Sequence, residues 1–407
     1  MSNNLKYGLG EALALLGEQI EPLPAEEVPL LDAAGRTLAG DIHALVDSPS
    51  VDASLKDGYA VVSEDIARAS DDSVVTLRMV GTIHAGEDQP LKVSPGTAVR
   101  ILTGAELPTG ASSVIADEFT RLDGDSVQVM NTAEPGRNVL ERGSDIARGA
   151  VLGHRGSCVT PGLLGLIAAA GHHRLQVVRK PRVAIIATGD EVVAPGVPLP
   201  RGKLYASNIT TLAAWCRRYG FDVQLEIVPD QPAAIEAAVT RHGQETDALI
   251  TSGGAWTGDH DLVARVLNRL GGVTIFHRLR IGPGKATGLV MLAGKPVFIL
   301  PGGPPSNLMG FLQIALPGLF LLSGCTDPPL QQGNVRITST IRTKFPDWTQ
   351  FYYGTLRPEE GGDLPCFTPL TRKSRLRSMA EAEAIIAIPE GETGIVEQTI
   401  IPAQRLA

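Results

Sequence analysis

The sequence has little cysteine: Cys158, Cys216, Cys325 and Cys366 are the only four in 407 residues, and they are far apart. No two of them form a C-x-x-C pair, which argues against a zinc site or a dithiol redox motif. Scattered cysteines of this kind are typical of reduced thiols in a cytosolic protein. We therefore expect four free thiols and a cytoplasmic location.

An excess of positive charge is also missing. The chain has 36 Lys and Arg against 44 Asp and Glu, a formal net charge of -8 and a pI of about 5.6. Proteins that bind nucleic acid usually carry a strongly basic surface, so the composition argues against nucleic acid as a partner. An anionic small ligand would need local positive charge.

Neither a leader sequence nor a transmembrane run is evident. The N-terminus lacks the basic start and apolar core of a signal peptide. The most apolar stretch, Leu308–Leu322, is roughly 15 residues long and contains Gln313 and Pro317, which is too short to cross a bilayer. We interpret it as a buried helix and expect no membrane association.

What the chain does contain is enough apolar sequence, 43% of residues, for several hydrophobic cores. Apolar spacing predicts helices over 8–20 and Asp32–Leu45, and short apolar runs predict a β-rich segment over Val74–Val129. From Arg182 onward strands and helices alternate, which predicts a doubly wound parallel sheet. After Cys325 the pattern is β again and predicts a small β domain or barrel.

These segments predict an α/β multidomain protein with four parts. A helical linker domain combines 1–45 with 146–180, where Val151–Ala170 returns to a helical pattern. An inserted β-rich subdomain covers 46–145. The α/β domain covers 181–325, and the C-terminal β domain covers 326–407.

One strand and the turn after it organise the α/β part. Ala248–Ile250 is an apolar run typical of a buried strand, Ser252–Gly254 breaks it, and Asp261 opens a helical run. In open parallel sheets, ligands bind at the carboxyl ends of strands. Glycines let the backbone approach a ligand closely, and the amides at a helix N-terminus suit an anion.

Three successive strands of this part are followed by acids, namely Glu191, Asp230 and Asp261. Because strand ends at one sheet edge converge, we expect these carboxylates to lie close together. Converging carboxylates raise each other's pKa unless a cation or donors compensate, and beside a phosphate ligand they are the usual setting for Mg²⁺. The ordinary alternative for each acid is a helix cap.

Besides the acids, the sequence places a lysine and a second turn near this edge of the sheet. Lys285, in the turn GPGK, and the turn Gly302–Ser306 would face the anionic groups of a ligand, although a lysine can also be a solvated surface charge. Arg372–Arg377 is the densest basic cluster, explained by a solvated loop or by anion binding. From local chemistry alone, Asp47–Val62 is a surface turn before a strand.

These turns, in this order, resemble the MoeA family of molybdopterin molybdenumtransferases, which includes the E domain of gephyrin. The resemblance runs from the first helix to the last β segment, and the ordered set is specific although no single motif is decisive. The matching motifs are Asp57–Ala60 (DGYA), Arg100–Ala111 (RILTGAELPTGA), Gly143–Ile146 (GSDI), Ala187–Glu191 (ATGDE), Ser207-Asn208, Ser252–Gly254 (SGG) with Asp261, Pro283–Lys285 (PGK), Leu300–Ser306 (LPGGPPS) and Ser378–Ala382 (SMAEA).

The resemblance implies a MogA-like α/β domain within an elongated, four-part protomer, and a homodimer. It implies a reaction in which molybdate is inserted into the dithiolene of adenylylated molybdopterin, with release of AMP and assistance from Mg²⁺. It also suggests a molybdopterin adenylyltransferase as a partner.

Carried over by position, the resemblance implies catalytic roles for Asp57, Glu191, Asp230, Asp261 and Lys285. The metal would be held by Glu191, Asp230 and Asp261, and Lys285 would face phosphate or molybdate. Three residues of the β-rich subdomain, plausibly the partner subunit's copies, would reach the site: Asp57, Thr103 and Asp145. The other substrate-binding residues would be Thr188, Gly189, Ser207, Ser252, Gly253, Gly254, Pro301, Gly302 and Ser306.

Departures from the family pattern concentrate at anion-binding positions. The family's KPGKP turn is Gly282–Ala286 here, so one lysine and one proline are missing, and Leu140 stands where an arginine is expected. A lost charge-assisted hydrogen bond costs roughly 1.5–3 kcal/mol, or about one to two decades in binding. Replacement charge would come from one of five residues, Lys56, Arg142, Arg280, Arg375 or Arg377.

Other departures concern the shape of the turns. Leu55 and Lys56 precede Asp57 in place of the family's small and apolar residues, and Ala206 stands where an acid is usual. The remaining changes are Gly303 in LPGGP, Trp256 in the SGG turn and the basic Lys373–Arg377 before SMAEA.

Three hypotheses fit this pattern. The first is an active molybdenumtransferase with a re-sited oxyanion pocket, and the second is a paralogue of altered scope, such as tungstate insertion. The third is a non-catalytic protein that holds a pterin cofactor or scaffolds a partner. A basic group near Lys285 and Ser306 would favour the first, and Trp256 filling the pocket would favour the third.

Overall fold

The computed structural model describes residues 5–87, 90–253, 262–358, 362–370 and 375–406. Asp261, Gly254 and Trp256, which the sequence analysis singled out, lie outside these ranges. Lys373 does so as well.

The first part of the chain is a helix followed by short extended segments. Its elements are α1 (Leu9–Gln19), β1 (Ala25–Pro29), a 3₁₀ turn (Leu30–Ala33) and β2 (Ile42–His43). The helix predicted over Asp32–Leu45 is therefore wrong. Gly35 has a φ of +69°, which interrupts a helix, and Leu38 forms a β-bridge with Val177. Pairing with distant residues overrides the local apolar spacing here.

The β-rich segment forms a six-stranded sheet with both faces packed. Tyr59 and Leu77 belong to the apolar cluster on one face, and Val99 and Ile101 to the cluster on the other. The strand order is β7-β4-β6-β5-β9-β8. Its six strands are β4 (Gly58–Val61), β5 (Val75–Ile83), β6 (Thr97–Ile101), β7 (Ser113–Ala116), β8 (Thr120–Asp123) and β9 (Ser126–Val129). Beside them, β3 (Ala53–Ser54) and β10 (Val139–Leu140) pair with each other in a separate two-stranded sheet.

The chain then returns to its first part. Strand β11 (Val151–Gly153) pairs with β2, and β12 (Arg174–Val178) pairs with β1, both antiparallel. Between them lies α2 (Pro161–Ala169), so the helical pattern predicted for Val151–Ala170 holds only for its second half. The Thr160 side chain caps this helix, and Pro161 suits its first turn.

From Arg182 the chain alternates between strands and helices. The elements are β13 (Arg182–Thr188), β14 (Val192–Val193), β15 (Leu204–Tyr205), α3 (Ser207–Arg218), β16 (Asp222–Val228), α4 (Pro232–Glu245), β17 (Ala248–Ser252), α5 (Leu262–Arg269), β18 (Val273–His277), β19 (Ile281–Gly282), β20 (Gly288–Leu292), β21 (Lys295–Leu300), α6 (Pro304–Gly310) and α7 (Leu316–Leu322).

This part is a doubly wound sheet, as predicted. Its strand order is β16-β13-β17-β21-β20-β18, and the pairs among the first four strands are parallel. Side chains alternate between the two faces, so that Val183 and Ile185 join the cluster under α3 and α7. Ala184 and Ile186 join the cluster under α4 and α5. Helices therefore cover both faces.

The apolar helix predicted at Leu308–Leu322 is longer than expected. It runs over Pro304–Leu322, 19 residues, and is long and apolar enough to cross a membrane, but 72% of its apolar window is buried inside the protein. It is thus a core helix, with a π-helical turn at Phe311–Ala315 between α6 and α7. Pro317, just after that turn, has no N–H to donate to the Gln313 carbonyl.

The C-terminal part contains a closed five-stranded barrel. Its strands pair in the order β24-β25-β22-β28-β26, and β26 pairs again with β24. The elements are β22 (Gln332–Ile337), β23 (Ile341–Arg342), β24 (Thr349–Arg357), β25 (Cys366–Pro369), α8 (Arg375–Glu381), β26 (Ala384–Ile388), β27 (Gly394–Ile395) and β28 (Ile400–Arg405).

Candidate active site

The carboxyl ends of β13, β17 and β21 lie side by side at one edge of the sheet. Ser252 at the end of β17 is in register with Ala187 on one side and Leu300 on the other. A pocket of about 520 Å³ opens at this edge. Six of the predicted substrate-binding or catalytic residues line it: Thr188, Glu191, Ser207, Ser252, Gly253 and Gly302.

Glycines at two strand ends are required by the backbone. Gly253 has a φ of +104°, and a Cβ there would lie 2.3 Å from the carbonyl oxygen of Thr188. Gly189 has a φ of +149°, and a Cβ there would lie 2.7 Å from the Glu191 carboxylate. Neither turn could keep its path with a larger residue, and Gly253 itself lines the pocket.

Two asparagines hold these turns together. Asn307 is 1% exposed, and its Nδ2 donates to Ser252 Oγ at 3.0 Å and to the Pro301 carbonyl at 2.9 Å. Asn208 Nδ2 donates to the Gly302 carbonyl at 2.8 Å. Asn307 was not predicted as a site residue, although an amide in an otherwise apolar helix start is a signal for such a role.

The pocket also has apolar walls that the sequence analysis did not assign. They come from the loop before α3, with Leu199, Leu204 and Tyr205, and from Leu376 of α8. Ala206, where an acid was expected, is 4% exposed and packs into the hydrophobic core. Arg375 and Arg377 of the basic cluster belong to α8, the helix that contributes Leu376 to the pocket.

Three acids lie around the first strand end. Partial burial, together with the charges of Glu191 and Asp190, raises the pKa of the Asp230 carboxyl. The Thr188 hydroxyl lies close enough to lower the same pKa slightly, although it has no hydrogen bond of normal geometry to another described residue. The Asp230 backbone N–H donates to Asp190 at 3.3 Å. A cation also lies at this strand end, because Lys203 Nζ donates to the Asp190 carbonyl.

The predicted metal ligands are only partly brought together. Glu191 and Asp230 are near enough to interact electrostatically, and Asp261 lies outside the described residues. Within the described ranges, no three His, Cys, Asp or Glu side chains form a group able to hold an ion. The available donors are carboxylate and hydroxyl oxygens, which suit a hard cation such as Mg²⁺.

Lys285 and Ser306 are not among the residues that line the pocket. Lys285 Nζ is 5.2 Å from the centroid of the Trp348 ring, at the edge of the barrel. A Cβ added at Gly284 would come within 3.5 Å of the Gly310 nitrogen in α6, the helix whose first turn contains Ser306. The lysine turn therefore lies between the end of α6 and the barrel.

Asp57, Thr103 and Asp145 lie in the β-rich part, and none of them lines this pocket. The Thr103 backbone N–H and hydroxyl donate to Asp57 Oδ1 at 2.7 and 2.8 Å. These two hydrogen bonds lower the pKa of the Asp57 carboxyl. The Asp145 N–H donates to the Ser48 carbonyl at 3.1 Å. Asp57 is therefore held ionised and oriented on an exposed surface.

Most of the candidate replacement cations are already paired. Arg280 contacts Glu11 and Glu390, and Arg142 contacts Asp47. Arg377 pairs with Glu381 one helical turn away. Both Arg375 and Arg377 are chain neighbours of the pocket-lining Leu376, and of these two Arg377 is already paired.

The architecture defines a multidomain α/β protein with a pocket at the carboxyl ends of a doubly wound sheet. The family profile for the MoeA N-terminal region (domain I and II) matches residues 8–171. The profile for a probable molybdopterin binding domain matches residues 184–320. The chain belongs to the MoeA family, which confirms the resemblance carried by its motifs.

Individual relatives agree with this assignment. The chain is 34% identical to molybdopterin molybdenumtransferase 2 of Mycobacterium tuberculosis (strain ATCC 25618 / H37Rv), covering 89% of this chain and 90% of that protein. It is 32% identical to the molybdopterin molybdenumtransferase of Bacillus subtilis (strain 168), covering 91% and 87%. A crystal structure of the MoeA protein of Pyrococcus horikoshii superimposes with a TM-score of 0.82 at 31% identity, covering 98% of each chain.

Proposed function

We propose that this protein inserts molybdate into adenylylated molybdopterin and releases AMP in a Mg²⁺-dependent reaction. Family membership supports the proposal, and one observation carries it: the glycine-turn pocket at the strand ends has Glu191 and Asp230 beside it. A protein that only held an apolar ligand would have no use for a carboxylate placed beside the raised-pKa carboxyl of Asp230.

The acids fit Mg²⁺, because a bound cation would stabilise the ionised Asp230 carboxylate against the burial and the neighbouring negative charges that raise its pKa. We propose that Glu191 and Asp230 hold the ion, with Asp261 as a third ligand. When bound, Mg²⁺ would neutralise phosphate charge and polarise the phosphoanhydride.

The chain's own residues would bind and orient the pterin nucleotide. The turns at Gly189 and Gly253 expose backbone to the ligand, and Ser252 and Asn208 offer polar side-chain groups. The ring of Tyr205, together with neighbouring leucines, provides an apolar wall for a flat heterocycle.

Lys285 would supply positive charge to molybdate. Its ammonium is placed over the Trp348 ring and forms no ion pair with a carboxylate in the described part of the chain. An aromatic face holds a cation without neutralising it, which leaves the charge available to an oxyanion.

We further propose a homodimer in the cytoplasm in which Asp57, Thr103 and Asp145 of one protomer complete the pocket of the other. The oriented Asp57 carboxylate is exposed and is not among the residues that line the pocket of its own protomer. A molybdopterin adenylyltransferase would be a natural partner, because it supplies the adenylylated substrate.

A second candidate is a protein that holds the pterin without catalysis. The observation that favours it is the crowding at Gly282, where a Cβ would lie 2.7 Å from Gln350 Nε2. The space beside the lysine turn is thereby filled by a neutral side chain. A transferase of altered scope, acting on tungstate, would share the same geometry.

AMP release decides among these functions. Purified protein, adenylylated molybdopterin and Mg²⁺ are incubated with molybdate, with tungstate or without oxyanion, beside Asp230→Ala and Asp261→Ala. Oxyanion-dependent AMP release that both variants lack is the expected result, and the ratio of the molybdate and tungstate rates defines scope. Tight pterin binding with no AMP release under any condition would replace the enzyme with the pterin-holding protein.

A further inference from the structure

A second cavity, of about 560 Å³, lies where the first part of the chain meets the α/β part. It is lined by the segment 34–37 before β2, the end of β12, the turn 218–221 between α3 and β16, and the end of α7 with the residues after it. It shares no lining residue with the pocket at the strand ends. Its volume falls in the range of small-molecule sites, roughly 300–1,000 Å³.

Three aromatic rings line this cavity. Tyr219 and Phe320 meet edge to face with their centroids 4.9 Å apart, and Phe221 lies 6.1 Å from Phe320. The Tyr219 hydroxyl donates to the Pro329 carbonyl at 2.6 Å, so the polar end of that ring already has its partner. The rings therefore offer apolar surface to a flat ligand.

The described residues that line this cavity carry more positive than negative charge. The cations are Arg36, Lys180 and Arg218, and the acid is Asp327. Arg218 is partly committed, because its Nη1 donates to the Leu406 carbonyl at 2.7 Å. In a chain with a net charge of -8, a local excess of cations attracts an anion.

Arg36 has an unused edge of its guanidinium. The residue is 8% exposed, and its Nη2 donates to Glu26 and, at 3.0 Å, to the Val178 carbonyl. Nε and Nη1 have no hydrogen-bond partner among the described residues, and of these two only Nε is closed to solvent. Nη1 is therefore an accessible donor on a charged group that lines the cavity, and such a donor suits an oxyanion.

Lys180 supplies a second cation. A Cβ added at Gly220 would lie 2.8 Å from Lys180 Nζ, so the ammonium lies against the turn that lines the cavity. Within the described ranges this lysine forms no ion pair. Two cationic groups and three rings therefore line one cavity.

We propose that this cavity is a binding site for a small aromatic anion, a flat ring joined to an oxyanion group. The oxyanion would accept hydrogen bonds from Arg36 Nη1 and Lys180 Nζ, and the ring would pack against Tyr219 and Phe320. No bond is made or broken. The site is separate from the pocket of the proposed transferase, and its existence does not depend on that reaction.

A cysteine of the cavity reports on its occupancy. Cys158 is partly exposed and lines the cavity, whereas Cys366 lies in β25 and Cys216 is fully buried. Iodoacetamide labelling of the full chain is followed for each cysteine by mass spectrometry, with naphthyl phosphate, with inorganic phosphate or with neither. Burial raises the pKa of the Cys158 thiol, so the reaction is run at mildly alkaline pH, where more thiolate is present.

Naphthyl phosphate should slow the labelling of Cys158 and leave that of Cys366 unchanged. Inorganic phosphate should need a concentration at least about 10-fold higher, because it has no ring to bury. Lys180→Met should raise the required concentration of naphthyl phosphate about 10- to 100-fold, the range for a lost charge-assisted hydrogen bond. Lys92→Met, at an exposed lysine of the β-rich part, should behave like the wild type.

Cys216 shows whether each variant is folded, because it should stay unlabelled in the folded protein. Lys180→Gln replaces Lys180→Met if Cys216 becomes reactive in the latter. Equal labelling of Cys158 with and without naphthyl phosphate in the wild type would overturn the inference. Protection that survives undiminished in the folded Lys180 variant, or that inorganic phosphate gives equally well, would do the same.

Discussion

The side-chain amide of Asn307 donates to Ser252 Oγ at 3.0 Å while almost wholly buried. The same nitrogen donates to the Pro301 carbonyl at 2.9 Å. One amide thus ties the end of β17 to the turn that precedes α6, and these two turns form one side of the pocket. The shape of the pocket depends on a residue that does not itself line it.

Replacing Asn307 by Leu should lower the free energy of unfolding by about 1–3 kcal/mol, because two buried acceptors lose their donor. Pterin affinity should fall with it, since the two turns are no longer tied. Urea unfolding and pterin titration measure both effects. Asn268→Leu, at an exposed position in α5, should stay within about 0.5 kcal/mol of the wild type. Equal stability of the two variants would contradict the role of Asn307.

Replacing Gly253 by Ala should lower stability, because alanine is unfavourable at a positive φ, and should in addition distort the pocket. Gly271 is the matched control, because it has a φ of +87° with open space around its Cβ position. The left-handed conformation costs an alanine about 1–2 kcal/mol, which both variants incur. Gly253→Ala should also lose pterin affinity because its Cβ would lie 2.3 Å from the Thr188 oxygen. Retention of full pterin affinity would show that the turn shifts freely.

Asp230 should make stability fall as pH rises through the acidic range. Its pKa in the folded protein is raised, so between the unfolded and folded pKa values the folded state holds more protons, and unfolding becomes easier with increasing pH. Asp230→Asn should lack this decline, whereas Asp222→Asn, at the other end of β16, should retain it. Thermal unfolding across this pH range measures the difference.

Mg²⁺ should bind the folded protein at the Asp230 carboxylate. At neutral pH the ion should raise the melting temperature of the wild type, since it binds the folded state, and should raise that of Asp230→Asn less. Thermal unfolding with Mg²⁺ or with an equal ionic strength of Na⁺ makes the comparison. Equal shifts in the wild type and the variant would remove Asp230 from the metal site.

Asp57→Ala and Asp230→Ala should each be inactive alone and active when mixed, if each pocket draws on both protomers. After exchange of subunits, a mixed dimer contains one pocket with both aspartates. AMP release should then recover to about a quarter of the wild-type rate if half of the dimers are mixed. Sedimentation of the mixture verifies the dimer, and no recovery in verified mixed dimers would place Asp57 outside the partner's pocket.

Strand ends in the α/β part could be predicted from sequence because local patterns decide them. Buried strands such as Ala248–Ser252 are continuous apolar runs, and glycine must follow where the backbone takes a positive φ, as at Gly253. The helix predicted over Asp32–Leu45 failed because its apolar residues pair with strands more than a hundred residues away. Sequence spacing has no access to such partners.

The surroundings of Lys285 could not be predicted from sequence spacing either. The sequence shows a lysine in a glycine-proline turn and the loss of a second lysine at Gly282. Only the register of β19 on β24 brings Gln350 and Trp348 to that turn. Their distance along the chain is more than sixty residues, so no local pattern could connect them.

The sequence by itself determined the family, the alternation of strands and helices, and the acids at the strand ends, because each depends on residue type at short spacing. The tertiary structure decided which groups are in contact. Examples are the two hydrogen bonds donated by Asn307, the apolar side chains that line the pocket, and the pairing of Gln350 with Gly282 beside the lysine turn. Hydrogen bonds and burial at these places are set by strand register and helix packing, which are properties of the whole chain and not of any one segment.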